Sequence, residues 1–362
     1  MSGSVSLAMR IQAFSKLSKA LSRVATALGG GHQSALAHTA EQALYTATQA
    51  AEKANPWFAR REVARALGAI SVMINEKALL SWTALYPELH KETGATKTIA
   101  VIMAGNLPLV GFHDFLGVII SGHRFLGKLS SQDALLPVAL AELLVAIEPG
   151  LKSQIVFTHE LIRDADTIIA TGSDNTARYF EYYFGDRPHI IRKNRNSSAV
   201  LTGYETEDEL KRLGEDIFAY YGLGCRSVSH LFVPKDFNFS RLADAWKPFN
   251  YLLLNKKYTN NLNYHKALYE VSGIPFIHNG QCILTENPGL ASPLSVIHYT
   301  RYRQISDAEQ FIQLHTSSIQ CVVSSTKLQA GGAPVVPFGQ SQHPQLDDYA
   351  DGVDTIRFLI GL

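Results

Sequence analysis

The sequence predicts an α/β protein, with a mainly parallel sheet of βαβ units behind a helical N-terminal region. Three observations carry this. From Thr98 onward, short apolar runs closed by Gly or Pro alternate with longer runs at helical spacing. Residues 1–95 are Ala- and Leu-rich with helical periodicity throughout. The length, 362 residues, accommodates two domains or one large α/β unit.

The elements follow in order. Leu7, Ile11, Phe14, Leu17, Leu21, Val24 and Leu28 recur at helical spacing, with Arg10, Lys16, Lys19 and Arg23 between them. This is an amphipathic helix, without the compact apolar run of a secretory signal; it is expected to pack on the body of the protein, with a lipid-surface helix as the alternative. Breaks fall at Gly29–Gly31 and at Asn55-Pro56. Thr98–Met103 reads as a buried strand, Val110–Ile120 as a helix and His123–Leu129 as a strand. Gln132–Ile147 reads as a helix closed by Pro149-Gly150, Gln154–Phe157 and Thr167–Ala170 as strands, and Asn175–Phe184 as a helix. Thr206 and Glu209 form a capping box for a helix carrying Leu210, Leu213, Ile217 and Tyr221, which Gly222 is expected to end. Val228–Val233 is a further strand, and α/β material continues to about Ser325.

The formal net charge is +1, so no general attraction to nucleic acid or an anionic membrane follows. No run approaches the length of a membrane span. Cys225, Cys282 and Cys321 are odd in number and form no C-x-x-C pair. That argues against a disulfide framework or a thiolate metal site and fits a reducing cytoplasm.

Ligands of parallel sheets gather beyond the carboxyl ends of the strands. This directs attention to three loops. In AGNLPL, Asn106 could donate its side-chain N–H to an oxyanion, or could merely form a turn. In GKLSS, Lys128 could meet a phosphate or ribose, or be an ordinary surface lysine. In ATGSDNT, Thr171-Gly172-Ser173 could present N–H groups to an anion, or Ser173 could be a plain N-cap. A fourth feature is AYYGLGCRSVSH. Cys225 there follows Gly222 and Gly224, which permit a sharp turn, and precedes Arg226, which favours a thiolate. A buried apolar cysteine is an equally good reading of that stretch alone. Cys321, in SIQCVVSS, reads as a core strand residue.

Taken in order, AGNLPL, GKLSSQDALLPVALAELL, ATGS and GLGC resemble the aldehyde dehydrogenase superfamily. That superfamily has an Asn-x-Pro loop, a Lys-Pro-Ser-Glu loop, a Gly-Ser turn and a catalytic cysteine in the same succession. GLASPLSVIHYTRY is similar to its segment around Phe-Gly-Pro, and PFGQSQHP to its Pro-Phe-Gly-Gly segment. The similarity runs from about Thr98 to Gln342. Within the superfamily, ATGSDNTARYF, IIRKNRNSSAVLTG and LDDYADGVDT resemble the LuxC-type acyl-CoA reductases.

The resemblance implies an aldehyde dehydrogenase-like fold. Residues 1–95 would be a helical region belonging to the nucleotide-binding half, and 96–203 a Rossmann-type dinucleotide-binding domain. Residues 204–329 would be the cysteine-bearing catalytic domain, and 330–362 a segment returning to the nucleotide-binding half or to an oligomer interface. It implies Cys225 as nucleophile and Asn106 as oxyanion donor, with Lys128, Ser130, Ser131, Thr171, Gly172 and Ser173 holding a cofactor and no metal.

The departures refine this. The stretch Arg192–Ser198 stands where the superfamily has the glutamate that activates water, and it contains no carboxylate. An acyl-cysteine would then be left for a thiol or for hydride. Ser131 replaces the acid that usually holds the adenosine ribose, and Lys128 could pair with a 2′-phosphate, so NADPH (NADP) is the expected cofactor. The acid that steadies the nicotinamide ribose has no clear match: Glu286 is near, but alignment places Pro288 there. His230 and His113, close to key loops, are read as structural. The expected reaction is NADPH-dependent reduction of a fatty acyl-CoA, long-chain by resemblance, to the aldehyde, with CoA as leaving group. An acyl-transferring or acyl-activating partner protein and a homo-oligomer are expected by the same analogy. An aldehyde dehydrogenase proper, an acyl-phosphate reductase and a non-catalytic partner subunit are the alternatives.

Overall fold

The structure, a computed structural model, describes residues 5–32, 36, 38–90, 96–162, 164–172 and 174–362, with residues 174–177 described by backbone alone. The chain forms two compact units, Met1–Lys193 with Pro344–Leu362, and Asn194–His343.

The first unit begins with four helices, α1 (Leu7–Leu28), α2 (Thr39–Ala54), α3 (Arg60–Met73) and α4 (Glu76–Thr83). All seven apolar positions anticipated on α1 are buried. Each removes a large side chain from water, worth about 1.5–3 kcal/mol before conformational entropy is counted. Phe14 meets Phe112 and Phe115 edge-on. Lys16 and Lys19 face solvent as the spacing implies, but Arg10 does not: it is buried. Its Nη1 donates to the Ile119 carbonyl at 3.3 Å, an oxygen that also accepts the Gly122 N–H at 3.1 Å. Burial pushes the guanidinium down to about 10.

Five strands follow: β1 (Thr98–Ile102), β2 (Arg124–Lys128), β3 (Ile155–Thr158), β4 (Thr167–Thr171) and β5 (His189–Arg192). Helices α5 (Phe112–Ile120), α6 (Leu135–Ile147) and α7 (Asp174–Phe184) connect them. The sheet order is β3-β2-β1-β4-β5, and every pairing is parallel. β1 and β4 are the most buried strands, which is why their sequences read as continuous apolar runs. The chain moves outward from β1 through β2 and β3, then returns to build β4 and β5 on the other side. The strand order therefore reverses between β1 and β4. The last helix, Thr355–Ile360, also belongs to this unit and buries Ile356 and Leu359.

The second unit contains β6 (Asn196–Val200), α8 (Glu207–Phe218), β7 (Val228–Pro234), α9 (Ser240–Ala245), α10 (Lys256–Val271), β8 (Ile277–His278), β9 (Ile283–Glu286), β10 (Val296–Tyr302), α11 (Ile305–Leu314), β11 (Ile319–Val323) and β12 (Val335–Val336). Its sheet order is β12-β11-β6-β7-β10-β9-β8, parallel except for the β8/β9 hairpin. The division between units falls at 193/194 and 343/344 rather than near 203 and 330. The reason is β6, which pairs with β7 and β11 and so joins the second sheet.

The capping box forms as the sequence implies, with the Thr206 hydroxyl accepting from Glu209 N–H and the Glu209 carboxylate from Thr206 N–H. The helix does not continue to Gly222, however. It stops at Phe218, and Tyr220, Tyr221 and Gly222 take φ of 54°, 59° and 78°. Two tyrosines in the left-handed region cost on the order of 1–3 kcal/mol each, and both are buried.

Candidate active site

In the first unit, three candidate loops leave one edge of the sheet at one level. Ile102, the last residue of β1, pairs with Lys128 of β2 on one side and Ala170 of β4 on the other. The Asn106 loop, the Lys128–Ser131 turn and the Thr171-Gly172 turn thus emerge side by side at the strand reversal. Asn106 is exposed. Its loop is fitted closely to the neighbouring turn: a Cβ placed on Gly105 would stand 2.3 Å from Ser130 Oγ. Only glycine permits that approach.

The Lys128 ammonium donates to the His159 carbonyl at 3.2 Å. Ser130 Oγ accepts from Gln132 N–H at 3.2 Å, and Ser131 is exposed. Gly172 N–H donates to the Arg192 carbonyl, extending the β4/β5 ladder by one residue. It is therefore already engaged rather than offered to an anion. Ser173 lies outside the described residues. An ammonium and two hydroxyls at the carboxyl end of β2 fit the hydroxyl or phosphate edge of a nucleotide ribose, since this is where Rossmann-type sheets receive it. The turn Lys128–Ser131 itself carries no carboxylate.

The second unit holds Cys225. Of the three cysteines it alone is exposed. Burial pushes the Cys282 and Cys321 thiols up, which leaves them poor nucleophiles. Cys225 sits just before β7, on a turn closed by Ser227 N–H donating to the Gly224 carbonyl at 2.9 Å. It thus lies at the amino end of a parallel strand, not at a carboxyl end. Beside it, β6 slips register against both neighbours around Ser197. Ser197 Oγ donates to the Cys225 carbonyl at 2.9 Å and lies 3.2 Å from Cys321 Sγ. The stretch 192–198 therefore contributes a hydroxyl that holds the cysteine's backbone.

A second support comes from the segment containing PFGQSQHP. Asp216, near the end of α8, is fully buried and accepts the N–H groups of Gly339 and Ser341 at 2.6 and 2.9 Å. Burial pushes its carboxyl up to about 6, against the pull of those donors. From that segment, Gln342 Nε2 donates to Ser227 Oγ at 3.3 Å, and the Ser341 carbonyl accepts from Arg226 Nη1 at 3.5 Å. Arg226 is thus directed to this segment. Sequence reasoning missed Ser197, Asp216 and Ser341. Asp216 left a signal: an acid three residues after Leu213 and one before Ile217, on a face otherwise apolar.

The histidines are structural here. His113 Nε2 lies 2.9 Å from the Leu346 carbonyl, and His230 is fully buried with Nε2 3.0 Å from Thr300 Oγ1. Glu286 is exposed at the end of β9, 4.0 Å from Arg301 Nε. Pro288 is exposed in the loop that follows.

The sequence model of the acyl-CoA reductase (LuxC) family matches residues 19–241, more than half of the chain. The chain belongs to the LuxC acyl-CoA reductase family.

Compared with the curated proteins, this member finds no significant match. Among solved structures, aldehyde dehydrogenase 21 from Physcomitrella patens, solved with succinate, superposes with a TM-score of 0.63 at 12% identity, over 96% of this chain and 84% of that one. The indole-3-acetaldehyde dehydrogenase of P. syringae, a mutant solved with NAD+, gives 0.55 at 14% identity, over 91% and 80%. An NAD-dependent aldehyde dehydrogenase from Sinorhizobium meliloti gives 0.58 at 12%, over 90% and 76%. At such identities these matches show the fold, which is that of the aldehyde dehydrogenases. Family and fold together make this LuxC member an oxidoreductase acting on aldehyde or acyl groups. Among the described residues, no helix is long and apolar enough to cross a membrane, and no group of His, Cys, Asp and Glu side chains could hold a metal ion.

Proposed function

We propose that this protein reduces a fatty acyl-CoA to its aldehyde, with Cys225 carrying the acyl group. The observation that supports this most is the pairing of an exposed thiol with a neighbouring stretch that offers Ser197 and no carboxylate. Cys225 Sγ, as thiolate, adds to the thioester carbonyl. The Cys225 N–H and the Asn106 side chain are assigned to the oxyanion. Collapse expels CoA as its thiol after protonation and leaves an acyl-cysteine. In the 192–198 stretch there is no base to activate water, so hydrolysis to the acid is disfavoured.

Lys128, Ser130 and Ser131 would hold the cofactor, for which NADPH fits better than NADH because Ser131 does not repel a 2′-phosphate; Thr171, Gly172 and Ser173 belong to this reading by resemblance alone. Its chemical contribution there is a hydride to the acyl carbon. The thiohemiacetal on Cys225 then releases aldehyde and returns the thiolate. The long-chain preference, a partner that supplies the acyl group, a homo-oligomeric assembly and a cytoplasmic setting belong to this reading by family resemblance.

Intact-protein mass spectrometry after incubation with acyl-CoAs of graded length, without NADPH, tests the reading. The expected result is one acyl adduct on the wild type, none on Cys225→Ala, and loss of the adduct as aldehyde when NADPH is added. An adduct retained by Cys225→Ala, or discharged as free acid, overturns it. Equal efficiency with NADH overturns the cofactor assignment alone.

A further inference from the structure

Asp133 lies at the seam between two candidate loops of the first unit and has no place in the chemistry above. It is buried, 3% exposed. Its Oδ2 accepts the Leu109 N–H at 2.7 Å. Leu109 belongs to the loop that carries Asn106, and it holds a left-handed φ of 58°, a conformation that leucine adopts only when its surroundings impose it. The Leu136 N–H at the start of α6 also favours the ionised carboxylate. Asp133 N–H in turn donates to the Ser130 carbonyl at 3.3 Å, and the same N–H group lies 3.1 Å from where a Gly105 Cβ would be. One residue therefore joins the two loops, its carboxylate holding the proposed oxyanion loop and its backbone N–H the proposed nucleotide turn.

We infer that Asp133 is a positioning residue whose carboxylate holds the Asn106 loop against the Ser130–Ser131 turn, so that nucleotide on the turn and the aim of Asn106 are coupled. The inference rests on the roles proposed for Asn106 and for the turn. Two further facts give it a pH signature. Burial pushes the carboxyl up to about 7, with no charged neighbour contributing among the described residues. Its other oxygen, Oδ1, is buried without a hydrogen-bond partner and can receive the proton. The groups that meet it are uncharged: the Leu109 and Leu136 N–H groups at its carboxyl and the Ser130 carbonyl at its backbone. Protonation turns the bond to Leu109 from a charge-assisted one into a neutral one of about half the strength.

Hydrogen exchange of the segment 103–111 in the full-length protein tests this without any catalytic step. Rates are corrected for intrinsic pH dependence and compared at pH 6 and pH 8, with and without NADPH. In the wild type, protection is expected to rise several-fold from pH 6 to pH 8 and to rise again with NADPH. Asp133→Asn is expected to remove both increments while NADPH fluorescence still reports binding. Protection in the wild type that ignores pH and NADPH overturns the coupling, as does an Asp133→Asn protein that keeps both increments. A second arm follows acyl adduct formation on Cys225. If the seam behaves as expected but no adduct forms on the wild type, the acyl-CoA reading fails and the coupling stands. If the wild type acylates and Asp133→Asn acylates at the same rate and pH profile, the positioning role fails.

Discussion

Replacing Gly105 by alanine should disable the enzyme without unfolding it. The new Cβ would stand 2.3 Å from Ser130 Oγ and 2.6 Å from Ser130 Cβ. The hydroxyl can rotate away, but the Ser130 Cβ cannot. Ordinary contact begins near 3.4 Å, so the loop after β1 must retreat from the β2 turn by somewhat less than 1 Å. Overpacking of this kind costs about 1–3 kcal/mol, which a chain with two large cores survives. A displacement of about 1 Å at a group with the role proposed for Asn106, meeting a developing charge, costs on the order of 10²-fold in rate. Cys225 acylation, followed by quench and intact mass, should therefore slow about 10²-fold, with a melting temperature only a few degrees lower. Ser130→Gly removes both obstructing atoms, so Gly105→Ala with Ser130→Gly should regain most of the loss. Wild-type acylation by Gly105→Ala, or a double variant no faster than the single one, would refute the argument that this contact aims Asn106.

Three further outcomes follow from buried charge. Arg192 Nη1 pairs with Asp114 Oδ2 at 2.7 Å and Nη2 donates to Thr355 Oγ1 at 2.9 Å. Arg192→Ala orphans a buried carboxylate and should lower unfolding free energy by about 3–5 kcal/mol in denaturant titrations; a loss below 1 kcal/mol would refute it. His230, fully buried, is pushed down from 6.5 to about 4 by burial first and then by His298. Between those values the unfolded chain binds a proton that the folded one refuses, so stability falls as pH falls, by about 3 kcal/mol in full. His230→Gln should flatten that decline, and an unchanged slope would show that the imidazole is not held neutral. Asp216 acts in the opposite sense. Between 3.8 and about 6 the folded chain keeps a proton that the unfolded one has released, so stability falls as pH rises, again by about 3 kcal/mol. Asp216→Asn should remove that decline, and the two variants together separate effects that nearly cancel in the wild type between pH 4 and 6.

Much of the architecture was legible because it is local. Thr98–Met103 and Thr167–Ala170 read as strands because a strand covered on both faces is apolar at every position. The amphipathic spacing of α1 named its buried face for the same kind of reason, and the capping box at Thr206 is a signal four residues long. What could not be read is contact between distant residues. Ser197 and the Cys225 carbonyl are 28 positions apart, and Asp216 and Ser341 are 125 apart. No periodicity records a hydroxyl or carboxylate that serves a remote backbone. The early end of α8 was hidden differently: Tyr220 and Tyr221 fit helical spacing, and nothing in a tyrosine announces a left-handed backbone. Arg10 was set among the polar positions between the apolar ones because arginine usually faces solvent; a distant carbonyl, that of Ile119, takes its guanidinium instead. Neither β5 nor β6 was read as a strand; residues 196–200 fell inside the 96–203 domain by sequence adjacency alone, which does not say which sheet a strand joins.

The return of residues 344–362 to the first unit sets the order in which this protein can be finished. Ile356, Leu359 and the Thr355 hydroxyl complete a surface on which Asp114 and Arg192 are buried. On a ribosome that surface must wait, uncovered, while the whole of 194–343 is synthesised. At roughly 5–20 residues per second that is a delay on the order of ten to thirty seconds. The second unit can close on itself as soon as it emerges; the first cannot. A chain stopped at His343 would carry every candidate catalytic group yet leave an apolar face and a charged pair open to water. Its expected fate is aggregation, rescued by supplying the missing segment as a separate peptide.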